Sequence, residues 1–150
     1  MYRSLRVIRL IAVLGIILFG AFGFTSSQKY TLTIHLTQLR NSSGQIALLV
    51  HDASNGFPES DQKAVRRKLV PAKKNGVTIT FDDLPPGNYA VTVLHDENSN
   101  GKADKNFIGI PTEGFGFSNN PVIRFGIPDF DDCKIEVNKT TSHTIRLKYF

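Results

Sequence analysis

Tyr30-Thr31-Leu32-Thr33-Ile34-His35-Leu36-Thr37 alternates apolar and polar side chains from end to end. In an extended chain successive side chains point to opposite faces, so Tyr30, Leu32, Ile34 and Leu36 share one face, and the threonines and His35 share the other. The stretch is a half-buried strand whose core face is already assigned. Outward from it the habit repeats. Ile46 to Val50 is a short apolar run that reads as a more fully buried strand, and Val77, Ile79 and Phe81 alternate with Thr78 and Thr80. Tyr89, Val91 and Val93 alternate with Ala90, Thr92 and Leu94, and Lys134 to Val137 and Thr144 to Tyr149 follow the same rule. Asn-Gly and Pro-Gly breaks separate the runs, and no long amphipathic helical pattern interrupts them. The pattern predicts an all-β chain: a single immunoglobulin-like or prealbumin-like β-sandwich of about seven strands. Asp61 to Val70 stays open between two readings, because Ala64-Val65 and Leu69-Val70 fit either one helical face or an extended edge. Pro71 ends both.

The N-terminus predicts export. Arg3, Arg6 and Arg9 precede an uncharged run from Leu10 to Phe24 that closes on small and polar residues. That run is about 15 residues, short of the roughly 20 that cross a bilayer, and so reads as a signal peptide over residues 1–27. An uncleaved anchor over 10–24 is the other reading. Residues 28–150 then form one β-sandwich domain, periplasmic or extracellular. Three of the eighteen basic residues fall in the leader while all thirteen acids follow it, which leaves the domain at only +2. So small a charge gives no footprint for nucleic acid, and Arg66-Arg67-Lys68 with Lys73-Lys74 reads as a solvated face. Cys133 is the single cysteine, which excludes an intramolecular disulfide and fits a buried core thiol.

His95-Asp96-Glu97-Asn98-Ser99-Asn100-Gly101-Lys102-Ala103-Asp104 carries the chemistry. Calcium takes six to eight oxygens, and a loop of this type supplies them from positions 1, 3, 5, 7 (a backbone carbonyl) and 9, with glycine at 6. Those positions are Asp96, Asn98, Asn100, Lys102 and Asp104, with Gly101 at the turn. Position 12, normally a bidentate Glu, is Phe107, so the expected affinity is that of extracellular modules, about 10⁻⁴–10⁻³ M. Without an ion, the same Asp and Asn side chains make Asx-turns in a long hairpin connection.

Two resemblances widen the reading. Leu84-Pro85-Pro86-Gly87-Asn88-Tyr89 looks like the L-P-P-G-x-Y corner of prealbumin-like domains on carboxypeptidases and bacterial surface proteins. The longer run from Leu84 to Asn120, LPPGNYAVTVLHDENSNGKADKNFIGIPTEGFGFSNN, resembles a family of small exported bacterial proteins, domain of unknown function 2141. Corner, strand, H-D-x-N-x-N-G-K-x-D loop and G-x-P-x-E-G-x-G-F-S-N-N tail follow one another in the family's order. The resemblance implies a fold and export, and no activity. The tail Gly109 to Asn120 is too glycine-rich for a packed strand interior and suits positive φ or close backbone approach. Folded back beneath the loop, it would bring Glu113 in as the missing acidic ligand, with Ser118, Asn119 and Asn120 orienting the ligand oxygens. Alternatively it is an Ω-like loop in which Phe115 and Phe117 plug the end of the sandwich.

Other constellations compete. Leu48 to Gly56 echoes Val93 to Gly101, and both apolar strands end in His-Asp. Were the two strands parallel neighbours, His51, Asp52, His95 and Asp96 would gather as a transition-metal site. His35 and His143 sit on polar strand faces and ask for no function. His95, Asp96 and Ser118 have the composition of a hydrolytic triad without a nucleophile elbow or other local signature, so a metal-dependent or serine hydrolase is the weaker reading. A carbohydrate- or peptide-binding envelope protein would use Tyr89, Phe115 and Phe117 as apolar contacts. The reading the residues favour is an exported, non-enzymatic binding or structural module. It carries a low-affinity structural Ca2+ loop of Asp96, Asn98, Asn100, Lys102, Asp104 and Glu113, and its partner is an envelope protein, peptide or glycan. Membrane contact is expected only through the leader or anchor.

Overall fold

The computed structural model describes residues 28–123 and 126–150, so the expected leader lies outside the described residues. Eight strands follow in order: β1 (Tyr30–Thr37), β2 (Gln45–His51), β3 (Arg66–Pro71), β4 (Val77–Leu84), β5 (Gly87–Asp96), β6 (Gly114–Phe117), β7 (Lys134–Val137) and β8 (Thr141–Arg146). A single helical turn, α1 (Phe130–Cys133), leads into β7. The chain is a β-sandwich of two sheets, one ordered β4-β1-β8 and the other β3-β2-β5-β6, with β7 also pairing β5. β1 runs antiparallel to β4 and parallel to β8.

The alternation in β1 becomes the core. Leu32, Ile34 and Leu36 are at most 1% exposed and pack with Ile46, Leu48 and Val50 of β2 and Val91 and Val93 of β5. Each such side chain contributes about 1.5–3 kcal/mol by leaving water. The Asp61–Val70 ambiguity resolves mainly as an extended edge: a short 3-10 turn at Asp61–Lys63 precedes β3, an edge strand with no buried residue. The Pro85-Pro86-Gly87 corner is closed by Tyr89, whose hydroxyl donates to the Pro85 carbonyl at 2.8 Å.

One expectation fails here. The glycine-rich tail does form a packed strand, for Gly114 to Phe117 is β6 and pairs with Thr92–His95 of β5. A Cβ on Gly114 would lie 2.3 Å from the Tyr149 ring, and one on Gly116 would lie 2.8 Å from Ile145. The glycines are there for close approach, since the C-terminal segment crosses directly over β6. A second apolar cluster covers the outer face of the larger sheet: Ala90, Phe117 and Cys133, with Phe57, Phe115, Ile123 and Phe130 packed against them. Burial, then the neighbouring Asp132 and Asp129, pushes the Cys133 thiol up to about 12.

Candidate metal centre

The last two residues of β5 point to opposite sides of the sheet. His95 faces inward and is fully buried. Its Nε2 must carry the proton, because it lies 2.8 Å from the Ser43 carbonyl, which can only accept. Nδ1 therefore accepts from the Tyr149 hydroxyl at 2.7 Å, and the Tyr149 oxygen in turn accepts from the Arg40 backbone N–H at 3.2 Å. The Arg40 guanidinium lies 4.7 Å from the centroid of the Tyr149 ring and donates to the Thr112 carbonyl at 2.9 Å. It also pairs with Glu97 at 2.7 Å, a close ion contact set off the line of a hydrogen bond to Oε1. Burial pushes the Glu97 carboxyl up, but the hydrogen bond from Asn41 and the adjacent Arg40 guanidinium outweigh it and hold the group below its ordinary value. The base of the loop is thus clamped from Arg40-Asn41, Ser43 and the C-terminus.

Asp96 faces outward yet is only 1% exposed. Its carboxylate accepts the backbone N–H groups of Asn100 at 3.0 Å and Gly101 at 2.8 Å, and the Gln45 amide at 2.9 Å. Burial raises the carboxyl's affinity for a proton, and the bonds from Gln45, Gly101, Asn100 and Ser99 more than reverse it, leaving the group below the usual carboxylate range. The chain curls around Asp96 through Ser99 and Gly101, both at positive φ. Facing it, the Asp104 carboxylate accepts the side-chain amides of Asn98 at 2.7 Å and Asn100 at 3.0 Å. Lys102 is exposed, and its N–H donates to the Asn100 side-chain oxygen at 2.8 Å. Glu113, 5% exposed, forms the floor: its two oxygens accept the backbone N–H of Glu97 at 2.9 Å and of Asp104 at 3.2 Å.

The structure therefore brings Asp96, Asn98, Asn100, Lys102, Asp104 and Glu113 into one loop and its floor. Among the described residues no three His, Cys, Asp or Glu side chains converge as a metal cluster, because Asp96 and Glu113 spend their oxygens largely on the loop backbone. The groups around Asp104 are the Asn98 and Asn100 amides. Their side-chain oxygens are turned the other way, Asn98 accepting the Asn100 N–H at 3.0 Å and Asn100 accepting the Lys102 N–H at 2.8 Å, so aiming either oxygen beside the Asp104 carboxylate would break one of these bonds.

Four placements differ from the alternatives the sequence offers. Ser118, Asn119 and Asn120 do not touch the loop. The Ser118 hydroxyl accepts from Val91 N–H at 2.8 Å and donates to the Cys133 carbonyl. Asn119 donates to the Lys134 carbonyl at 2.8 Å, and Asn120 bonds Thr144 and Arg146 of β8, so the trio ties the two sheets together. The transition-metal constellation also fails. β2 and β5 are antiparallel, with His51 opposite Ala90 and His95 opposite Ile46, so the two His-Asp pairs lie at opposite ends of the sheet. Ser118 and His95 both have other partners and assemble no triad with Asp96. Tyr89 and Phe117 are buried and offer no contact surface. An open cleft of about 750 Å³ lies instead at the far end, lined by Phe57, Pro58, Glu59, Pro128, Phe130 and Asp132, among others.

The sequence run from corner to tail is matched by the family described as an uncharacterized protein conserved in bacteria (DUF2141), over residues 34–145. The chain belongs to the DUF2141 family. Comparison with curated proteins and with solved structures gives no match. The DUF2141 match begins inside β1 and ends inside β8, so it encloses both sheets and the whole Asp96–Glu113 region.

Proposed function

We propose that this protein is an exported envelope module whose Asp96–Asp104 loop binds Ca2+ as a structural ion. The observation that supports this most is the wrapping of the loop backbone around two carboxylates. Asp96 gathers the N–H groups of Asn100 and Gly101, and Glu113 gathers those of Glu97 and Asp104. Together they fix the loop so that Asn98, Asn100 and Asp104 lie side by side, and an ion would turn the two amides at the expense of their bonds to the Asn100 and Lys102 N–H groups. The ion would be held by Asp96, Asn98, Asn100, the Lys102 carbonyl and Asp104, with Glu113 beneath. A low carboxylate count and the absence of a bidentate Glu at position 12 set the affinity at about 10⁻⁴–10⁻³ M. Calcium suits a set of protein oxygens better than magnesium, which keeps its waters and demands a tight octahedron. Calorimetric titration tests this: calcium binds in that range, Asp104→Ala loses it, and magnesium binds more weakly. Absence of calcium heat at about 10 mM calcium contradicts it.

A second reading rests on the far-end cleft. Phe57, Phe130, Pro58 and Pro128 supply apolar walls, and Glu59, Asp129 and Asp132 supply negative charge, which together suit a cationic peptide better than a glycan. Phe130→Ala weakening capture of such a peptide while Asp104→Ala leaves it unchanged would separate this role from that of the loop.

A further inference from the structure

Residues 105–111 form a small finger beyond the loop. Lys105 and Pro111 pair across its base, Asn106 N–H donates to the Ile110 carbonyl at 2.9 Å, and Gly109 N–H donates to the Asn106 carbonyl at 2.9 Å. The Asn106 side-chain oxygen accepts from Ile108 at 3.1 Å and Ile110 at 2.9 Å. The backbone is thereby fixed, yet the tip presents Phe107 at 99% exposure, Ile108 at 64% and Ile110 at 40%. Three large apolar side chains held out together on a convex tip have no role in the fold, and an ordered apolar patch of this kind marks a contact surface.

Charge around the finger indicates the occupant. The same end of the sandwich carries Lys102 and Lys105 and also Lys73 and Lys74, because β3 ends beside Gln45, which pairs with Asp96. These four lysines are exposed and make no ion pair among the described residues. Of the acids of this end, Glu97 pairs with Arg40, Asp96 and Glu113 are buried on backbone N–H groups, and Asp104 alone, on the Asn98 and Asn100 amides, is left to offset the four lysines. Asp52, Glu59, Asp82, Asp83, Asp129 and Asp132 lie at the other end, where β2 and β4 finish, together with Lys63 and Arg66 and with the pairs Asp61–Arg67 and Asp131–Lys134. A protein partner needs a shaped surface of about 1,200 Å² or more, far beyond three side chains, whereas a bilayer takes a convex apolar tip without shape matching.

We propose that the 105–111 finger inserts into an anionic phospholipid bilayer, with Phe107 and Ile108 among the acyl chains and Lys73, Lys74, Lys102 and Lys105 against the headgroups. Tyr30 pairs with Leu84 at the opposite end of the sandwich, so the finger and the start of β1 lie at opposite ends. Insertion needs no cation.

The chain contains no tryptophan, so Phe107→Trp provides a single reporter at an exposed position that the fold does not use. The test uses the chain from Gln28 onward, which contains every strand and both buried clusters, with phosphatidylglycerol-containing or pure phosphatidylcholine vesicles, in EDTA. The expected result is a blue shift and quenching by acyl-brominated lipid with the anionic vesicles only. In sedimentation, Phe107→Ser weakens partitioning about 10- to 100-fold, and each of Lys102→Ala and Lys105→Ala about fivefold. A reporter that stays water-exposed with both vesicles overturns the proposal. So does an equal shift with neutral lipid, or a shift that follows protein concentration without lipid, which would make the finger a contact between copies of the chain.

Discussion

Glu113 shows how one side chain can be placed by chemistry and still be hard to read. Its acid character and its glycine-rich setting were enough to suggest a position under the loop, and both oxygens do meet the loop backbone there. Arg40, Asn41, Gln45 and Tyr149, which clamp the same loop, left no local signal, since each reaches it from more than forty positions away in the chain. Glu113→Gln replaces one of two acceptors by an N–H donor facing an N–H, and is expected to cost about 1–3 kcal/mol in denaturant unfolding. Titration gives a second check. Asp96 and Glu97 hold their carboxyls below ordinary values in the fold, so the unfolded chain binds those protons more tightly. Their contribution is complete above about pH 4.5 and is lost as pH falls through the folded values; Asp96→Asn should flatten that acid limb. His143 moves the same way in a higher window. Burial lowers its proton affinity, and its neutral Nε2 accepts the Asn119 N–H at 2.9 Å. The unfolded chain therefore takes up the proton first, and stability falls as pH drops through about 6.5, then levels off below the folded value. His143→Gln should remove that step from a pH series of urea melts.

At the scale of elements, side-chain alternation made β1, β4, β5 and β7 legible and a short apolar run marked β2, because each buries one face against the other sheet. β6 was not legible, since Gly114 and Gly116 contribute no side chains to a period of two. Their reason for being there, the crossing of Tyr149 and Ile145, is a tertiary fact. The end of the chain misled in a related way. Leu147 and Tyr149 continue the alternation of β8, but the pairing of β8 stops at Arg146. Lys148 then bridges to Phe115 of β6 in the other sheet. Gly114→Ala is expected to destabilise by several times the roughly 0.5–1 kcal/mol that glycine-to-alanine normally gains in a strand. The Tyr149 ring, which the added carbon would strike, is pinned by His95 and Arg40 and cannot move aside. Gly44 predicts the same outcome for the loop, because its Cβ would lie 2.0 Å from the Asp96 carbonyl oxygen. Thermal unfolding of the two alanine variants, with Gly87→Ala as the comparison whose added carbon meets only ordinary van der Waals contact, checks both.

For the whole molecule, the antiparallel register of β2 against β5 is the decisive fact. It separates two similar strand ends, His51-Asp52 and His95-Asp96, that a parallel arrangement would have joined. No pattern within either strand reveals that choice, which is set by the sheet order. The same topology gives the sandwich two unlike ends: one with the open cleft, and one with the loop, the exposed finger and four unpaired lysines among the described residues. The loop is the part on which the functional account depends. Its most direct test is thermal unfolding of the full chain and of Asp104→Ala, each in EDTA and in about 10 mM calcium. A Kd of about 10⁻⁴–10⁻³ M corresponds to about 1.4–2.7 kcal/mol of added stability at that concentration, or a rise in Tm of about 5–10 °C. The account predicts that rise for the native chain and its loss in Asp104→Ala. Equal melting of the native chain with and without calcium would contradict it, and would leave Asp96, Asp104 and Glu113 as anchors of a purely hydrogen-bonded loop.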